Sequence, residues 1–205
     1  MLLSDKRIVE EMECGNIVIE PFDERHLGTN SYDCRLGEWY FAQEEEGMDL
    51  HLFGEDMRAS WGIRKRASKG EIPVRPGETI LAHTMEVIGG RNGYLVCLRT
   101  RSTVKRSGGL DVCGSAGLGD SGYIAKWTLE IHNQSKNTIW LPVGGRICQF
   151  ECYYIGETLK HYAGNYGQEE EWTPECMLPS AKMDWAVLEY RETQRRKDKD
   201  ECTIL

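Results

Sequence analysis

The stretch Arg99–Glu130, RTRSTVKRSGGLDVCGSAGLGDSGYIAKWTLE, carries the chemistry and sets the periodicity of the chain. It begins with the cations Arg99, Arg101, Lys105 and Arg106, interleaved with the hydroxyls Ser102 and Thr103. A glycine-rich run follows, too flexible and small-sided to build a core. From Tyr123 to His132 the residues alternate: Tyr123, Ala125, Trp127, Leu129 and Ile131 fall on one face. Lys126, Thr128, Glu130 and His132 fall on the other, with Ile124 the exception. That is the period of a half-buried strand, and it puts Glu130 on the face away from the core. Guanidinium and hydroxyl groups bind phosphate oxygens. Glycines let backbone approach a ligand, and a glutamate on a rigid strand can transfer protons. The same residues also suit a basic loop ahead of an amphipathic strand with a solvated glutamate, since charge runs are commonly surface features.

Outward from this stretch the chain reads as many short strands punctuated by turns. Thr79–Val87 is a strand containing His83, which sits among apolar neighbours and suits a satisfied core histidine. Gly89–Gly93 (GGRNG) is a tight turn, and Tyr94–Leu98 is the strand that delivers the cations. Asn133–Asn137 turns, Thr138–Leu141 is a strand, and Ile147–Ile155 alternates with Cys148, Phe150, Cys152 and Tyr154 on one face. Short strands at regular spacing predict an all-β barrel or sandwich.

Towards the N-terminus, Ser4–Glu13 is a short helix capped by Ser4 and ended at Gly15. Ile17–Ile19 is a strand broken by Pro21, and Ser31–Phe41 is another strand region in which Asp33 and Arg35 could form an inward pair. Residues 42–70 run from acidic to basic with little periodicity and read as a variable loop, expected to form a hairpin. Near the C-terminus, Ser180–Arg196 is an amphipathic helix with Ser180 as cap and Met183, Val187 and Tyr190 on one face. The ending Cys202–Leu205 (CTIL) matches a prenylation pattern, a short match that arises readily by chance.

The chain has 205 residues, enough for one domain with a tail, and a net charge of −8. That balance argues against nucleic acid as a partner, because backbone binding needs an extended basic surface. A single nucleotide needs only a local basic pocket, and residues 99–106 offer one. No apolar run is long enough to span a membrane and no signal peptide is visible, so a cytoplasmic protein without a membrane partner is expected. The eight cysteines are expected to be reduced thiols. None forms a C-x-x-C pair, and Cys148 and Cys152 on a strand would lie roughly 13 Å apart. The zinc deaminase signature, H-x-E with P-C-x-x-C, is absent, so no zinc site is expected.

In their order, the motifs resemble the dCTP deaminase family, a branch of the trimeric dUTPase-like fold. Met1–Asp5 (MLLSD) and Ser31–Gly37 (SYDCRLG) are similar to that family's opening and its S-x-D-x-R-L-G element. Arg101–Arg106 (RSTVKR) resembles its R-S-S-x-x-R motif, and Ser115–Tyr123 (SAGLGDSGY) its T-A-G-x-x-D-P-G-[FW] loop. Thr128–Glu130 with Asn133 resembles T-L-E-x-x-N, and Leu141–Gln149 (LPVGGRICQ) resembles L-x-x-G-x-x-I-x-Q. His161–Gln168 (HYAGNYGQ) is similar to the family's C-terminal lid, with Asn165 where a lysine is usual; Lys160 or His161 could substitute for the lost charge.

The resemblance implies a mainly β, distorted dUTPase-like barrel or jelly roll over residues 1–160, with a short N-terminal helix. Residues 161–205 would form the lid and a C-terminal helix. It implies hydrolytic deamination of dCTP at cytosine C4 without zinc, giving dUTP, or dUMP and pyrophosphate if the same site goes on. Glu130 would be general base and acid, with Ser102 and the Ala116 carbonyl positioning water and Arg106 near the base. Arg101, Ser102, Thr103 and Lys105 would meet phosphates, and Ser115 would sit at the substrate. Asp120 would hold the 3′-hydroxyl, and the backbone of Thr128, Leu129 and Glu130 would read the base. Tyr162 and Gln168 would close over the ligand. Mg2+ would arrive with the triphosphate, and the sites would form between subunits of a homotrimer. Gly117 after Ala116 resembles the bifunctional members. Two other readings stay open: a dUTP pyrophosphatase, against which Glu130 argues, and a nucleotide-binding regulator that has lost its chemistry. The departures Thr103, Gly119, Ser121 and Asn165 favour the regulator, whereas the retained Ser102, Arg106 and Glu130 favour an enzyme.

Overall fold

The computed structural model describes residues 1–43, 47–160, 162–164, 166 and 171–202, the last seven of these for backbone only. The expectations for His161, Asn165 and Gln168, and all but the first residue of the CTIL ending, lie outside the described residues.

The first helix, α1 (Asp5–Glu13), is capped by the Ser4 hydroxyl, which accepts from the Arg7 N–H at 3.4 Å. It leads to β1 (Ile17–Glu20), β2 (Tyr32–Arg35) and β3 (Trp39–Ala42). A short helix, α2 (Glu55–Ala59), precedes β4 (Lys65–Arg66) and β5 (Glu71–Val74). Next come β6 (Thr79–Gly90) and β7 (Tyr94–Thr100), with α3 (Ser102–Arg106) directly after. Then come β8 (Leu110–Val112), β9 (Leu118–Gly119), β10 (Ile124–Asn133), β11 (Ile139–Pro142) and β12 (Arg146–Tyr154). The last element is α4 (Trp185–Cys202).

The strands form a main sheet in the order β4-β3-β6-β10-β8, with β1 also paired on β6. A second sheet runs β2-β12-β7-β9, and β11 pairs with β5. All strand pairs among the described residues are antiparallel. The chain passes from one sheet to the other at Arg91–Tyr94, where Asn92 (φ 56°) and Gly93 (φ 82°) turn it and the Tyr94 N–H closes on the Arg91 carbonyl at 3.1 Å. Both central residues take positive φ, which asparagine tolerates and glycine adopts at no steric cost.

The core lies between the sheets. Trp127, Leu129 and Ile131 from β10 face Phe150 and Cys148 from β12, and all are buried. Each such aliphatic or aromatic side chain stabilises the fold by about 1.5–3 kcal/mol on burial. A second, smaller cluster forms on the other face of β6. Phe41, Trp61 and Leu81 close there over Met177, with Trp39, Trp172 and Leu178 around them. It brings the C-terminal segment back onto the barrel beside Glu130.

Several local expectations are corrected. Arg35 does not pair with Asp33: its Nε donates to Glu86 at 2.6 Å, while Asp33 takes Arg101 at 3.0 Å and Arg146 at 3.2 Å. The two residues share a face by period, but each finds its partner on another strand. Within 42–70, β4 does return antiparallel, but onto β3 (Trp39↔Arg66), and α2 fills the connection. The Trp39 ring between Arg64 and Arg66, at 5.5 and 5.4 Å, holds that pairing. Of the cationic run, Arg99 lies on β7 and Lys105 and Arg106 on α3, so the alternative reading of a basic loop does not hold. The last helix starts at Trp185 instead of Ser180, because the Asp184 side chain accepts from the Ala186 N–H at 2.8 Å and caps it there. Its Trp185, Leu188 and Tyr190 are exposed and Val187 is half-buried, so among the described residues the helix has no fully buried apolar side chain.

Candidate active site

Strand β10 builds the site by alternation. With Trp127, Leu129 and Ile131 turned into the core, Lys126, Thr128 and Glu130 stand on the opposite face. One edge of the Thr128–Glu130 segment pairs with β6 (Thr128↔His83, Glu130↔Leu81). The other edge is met by Cys113, at φ 50°. Its N–H donates to the Glu130 carbonyl at 2.9 Å, and its Sγ accepts from the Glu130 N–H at 3.4 Å. The thiol in turn contacts the Thr128 carbonyl at 3.4 Å. Burial first, and then the nearby Glu130 carboxylate, push the Cys113 thiol far up, so it stays protonated and donates.

The Glu130 carboxylate is the distinctive group. Its Oε2 is buried and has no hydrogen-bond partner among the described residues. A buried carboxylate oxygen without a donor is costly, and such cost is tolerated where a ligand or water supplies the partner. Glu130 lines a cavity of about 490 Å³ together with Ala116, Asp120, Thr128 and Tyr162. Trp61, Met57 and Leu81 supply an apolar wall. Tyr162 meets Tyr123 edge-on at 5.5 Å, and Tyr123 meets Trp127 at 5.0 Å. Gly119 is required here: a Cβ at that position would lie 2.4 Å from the Trp127 ring.

The α3 residues lie elsewhere. None of Arg101, Ser102, Thr103, Lys105 or Arg106 lines this cavity. Arg101 donates to Asp33 and, at 3.0 Å, to the Arg146 carbonyl; Lys105 pairs with Asp111 at 3.3 Å. Ser102, Thr103 and Arg106 are on the surface, and Arg106 has no ion-pair partner among the described residues. Ser115 is exposed and does not line the cavity, and the Leu129 side chain is buried in the core, leaving only its backbone for a ligand. The structure therefore brings Glu130, Ala116, Asp120, Thr128 and Tyr162 together and sets the α3 group apart.

Sequence reasoning missed Trp61, Tyr166 and Met177, which come from segments without periodicity, and Cys113, whose role depends on a backbone conformation. His83 is the core histidine that its apolar neighbours suggest: Nδ1 lies 2.8 Å from the Thr84 carbonyl, and Nε2 faces the Trp39 N–H at 3.3 Å. No cluster of three or more His, Cys, Asp or Glu able to hold a metal occurs among the described residues. No helix among them is long and apolar enough to cross a membrane.

A small, mostly β domain with an unpartnered carboxylate on a rigid strand, opening on an aromatic-walled cavity, has the build of an enzyme for a small planar ligand. The family model described as dCTP deaminase-like matches residues 2–153, and the chain belongs to that family. It is 34% identical over 149 residues to the dUMP-forming dCTP deaminase of Hydrogenobaculum sp. (strain Y04AAS1), covering 73% of this chain and 80% of that protein. It is 32% identical over 171 residues to the dUMP-forming dCTP deaminase of Leptospira biflexa serovar Patoc, covering 81% and 90%. The crystal structure of 2′-deoxycytidine 5′-triphosphate deaminase from Agrobacterium tumefaciens superposes with a TM-score of 0.58 at 18% identity. That match covers 76% of this chain, which spans about half (49%) of the other, and it shows a shared fold.

Proposed function

We propose that the protein hydrolyses the exocyclic amine of dCTP at cytosine C4, with Glu130 as the proton carrier. The observation that carries this reading is the buried Oε2 of Glu130, without a partner among the described residues, at the wall of a cavity with room for a nucleoside. As the water oxygen bonds to C4, Glu130 takes one water proton and passes it to N3. It then carries the proton of the new C4 hydroxyl to the amine as the C4–N bond breaks, releasing ammonia and leaving a C4 carbonyl beside a protonated N3. Ala116 and Asp120 line the same cavity, which supports the Ala116 carbonyl as a partner of the water and Asp120 as a partner of the 3′-hydroxyl. The Cys113 thiol braces the strand edge that carries Thr128 and Glu130, keeping the base-reading backbone rigid.

Ser102 and Arg106 sit outside the cavity on α3, exposed. In this reading a neighbouring copy in a homotrimer brings them to Glu130, where Arg106 offsets developing charge and Ser102 holds the water. Mg2+ enters as part of the triphosphate substrate. The lack of the H-x-E with P-C-x-x-C signature in the sequence supports a mechanism without zinc. The dUMP-forming names of the relatives and Gly117 beside Ala116 favour continuation from dUTP to dUMP and pyrophosphate in the same site.

The test is incubation with dCTP and Mg2+ and separation of the products. Ammonia with dUMP and pyrophosphate is expected. Accumulating dUTP would limit the reaction to deamination. Hydrolysis of dUTP with dCTP untouched would replace this reading by a dUTP pyrophosphatase, and inertness to both by a nucleotide-binding regulator.

A further inference from the structure

Asp120–Tyr123 is a tight turn, closed by the Tyr123 N–H on the Asp120 carbonyl at 2.9 Å, with Gly122 in the third position at φ 104°. Glycine at positive φ there matches a type II turn, in which proline is favoured at the second position because it presets φ. Here the second position is Ser121, which carries no such constraint. Its hydroxyl does what a proline ring cannot and accepts from the Gly93 N–H at 3.1 Å. The Gly122 N–H adds a second tie, to the Gly90 carbonyl at 2.6 Å. Gly90 and Gly93 belong to the corner between β6 and β7, which is itself fixed on two sides. Arg91 Nε donates to the Gly15 carbonyl at 2.6 Å, and the Asn92 amide donates to Asn16 Oδ1 at 2.9 Å. From the other side, the Ile155 N–H donates to the Gly93 carbonyl at 2.8 Å.

Asp120 lines the cavity of Glu130, and its carboxylate takes no hydrogen bond or ion pair among the described residues. Its aim is therefore set by the backbone of the turn that carries it. We propose that Ser121 is a positioning residue: its bond to Gly93 fastens the turn to the β6–β7 corner and so places the Asp120 carboxylate for the 3′-hydroxyl of the nucleotide. The proposal rests on the deaminase reading for the role of Asp120 and adds the group that aims it. A proline at this position would remove freedom from the chain itself. The serine instead ties the turn to a corner that its own hydrogen bonds hold still, which is how a supporting contact keeps a binding group in place. Without that tie Asp120 loses its fixed aim and the sugar contact weakens. Thr128 and Glu130 keep theirs, because β10 carries them independently of the turn.

The test is Ser121→Ala, read as calorimetric affinity for dCTP and for its 2′,3′-dideoxy analogue, which lacks the 3′-hydroxyl. Glu130→Gln is present in both the parent and the variant so that neither ligand is consumed. Affinity for dCTP is expected to fall about three- to tenfold, the scale of one neutral hydrogen bond, and affinity for the analogue to change less than about twofold. Equal loss on both ligands would mark a general structural effect and overturn the proposal, as would no loss on either. A parent protein that binds the two ligands equally would take Asp120 off the 3′-hydroxyl and overturn it too. The decision rests on affinity and not on turnover. Failure of the deaminase reading shows separately, as a wild type that binds dCTP and releases no ammonia, and leaves the comparison of affinities intact.

Discussion

Cys113 and Glu130 clasp each other through backbone and sulfur, 2.9 Å from the Cys113 N–H to the Glu130 carbonyl and 3.4 Å from the Glu130 N–H to Cys113 Sγ. The contact ties the glycine-rich run to the strand that carries the proposed proton carrier. Replacing Cys113 by Ala leaves that N–H without an acceptor at a buried edge. A loss of about 1 kcal/mol is expected from denaturant unfolding, the usual scale for one neutral hydrogen bond.

The carboxylate itself is tested by Glu130→Gln, which keeps size and removes the proton-carrying group. Turnover of dCTP is expected to fall by about 10²- to 10⁴-fold or more, the range for loss of a general base. Nucleotide affinity, read by calorimetry, should stay within a few-fold of wild type. A Gln variant of near-normal kcat would remove Glu130 from the mechanism.

Burial divides the cysteines. Cys14 is exposed, whereas Cys34, Cys113, Cys148 and Cys152 are buried and their thiols are held up in pKa chiefly by desolvation. Thiolate is the reactive form. In a native-state alkylation followed by peptide mass spectrometry, Cys14 should label promptly and the four buried residues only after unfolding.

Glu86 is fully buried and accepts from the Arg35 Nε at 2.6 Å and the Arg35 N–H at 2.9 Å. Removing one partner strands the other. Glu86→Leu should cost about 3 kcal/mol, whereas the double change Arg35→Met with Glu86→Leu should recover most of it. Equal losses in single and double variants would show that packing matters more than charge.

His83 supplies a pH dependence. Burial lowers its pKa below the ordinary 6.5, with the Thr84 carbonyl opposing and the Lys126 charge adding to the effect. The folded protein keeps the imidazole neutral, while the unfolded chain takes up a proton below about pH 6.5. Its stabilising contribution is therefore complete above that pH and is lost as the pH falls towards the folded value. Thermal melts between about pH 7.5 and 5.5, on either side of the unfolded value, should show a falling Tm, with a shallower slope for His83→Gln.

On β10 and β12 the alternation of period two is a local property that tertiary packing needed only to accept. The faces of Trp127, Leu129 and Glu130, the Ser4 cap, the buried His83 and the ordered motifs of the dCTP deaminase-like family were all legible in the chain. Which groups meet was not. Asp33 and Arg35 stand close together in the chain and take partners from distant segments, because only the pairing of β2 with β12 and its packing against β6 decide what lies opposite. The cations of α3 and the carboxylate of β10 belong to one stretch of sequence, yet they point to different surfaces. Met177 and Pro179 reach the Glu130 cavity because residues 172–182 return to cover Leu81 and His83, a docking driven by packing of Trp172 and Met177 that leaves no periodic trace. Periodicity is written residue by residue, but the charges that share a cavity are chosen by long-range register, and only the folded chain expresses that.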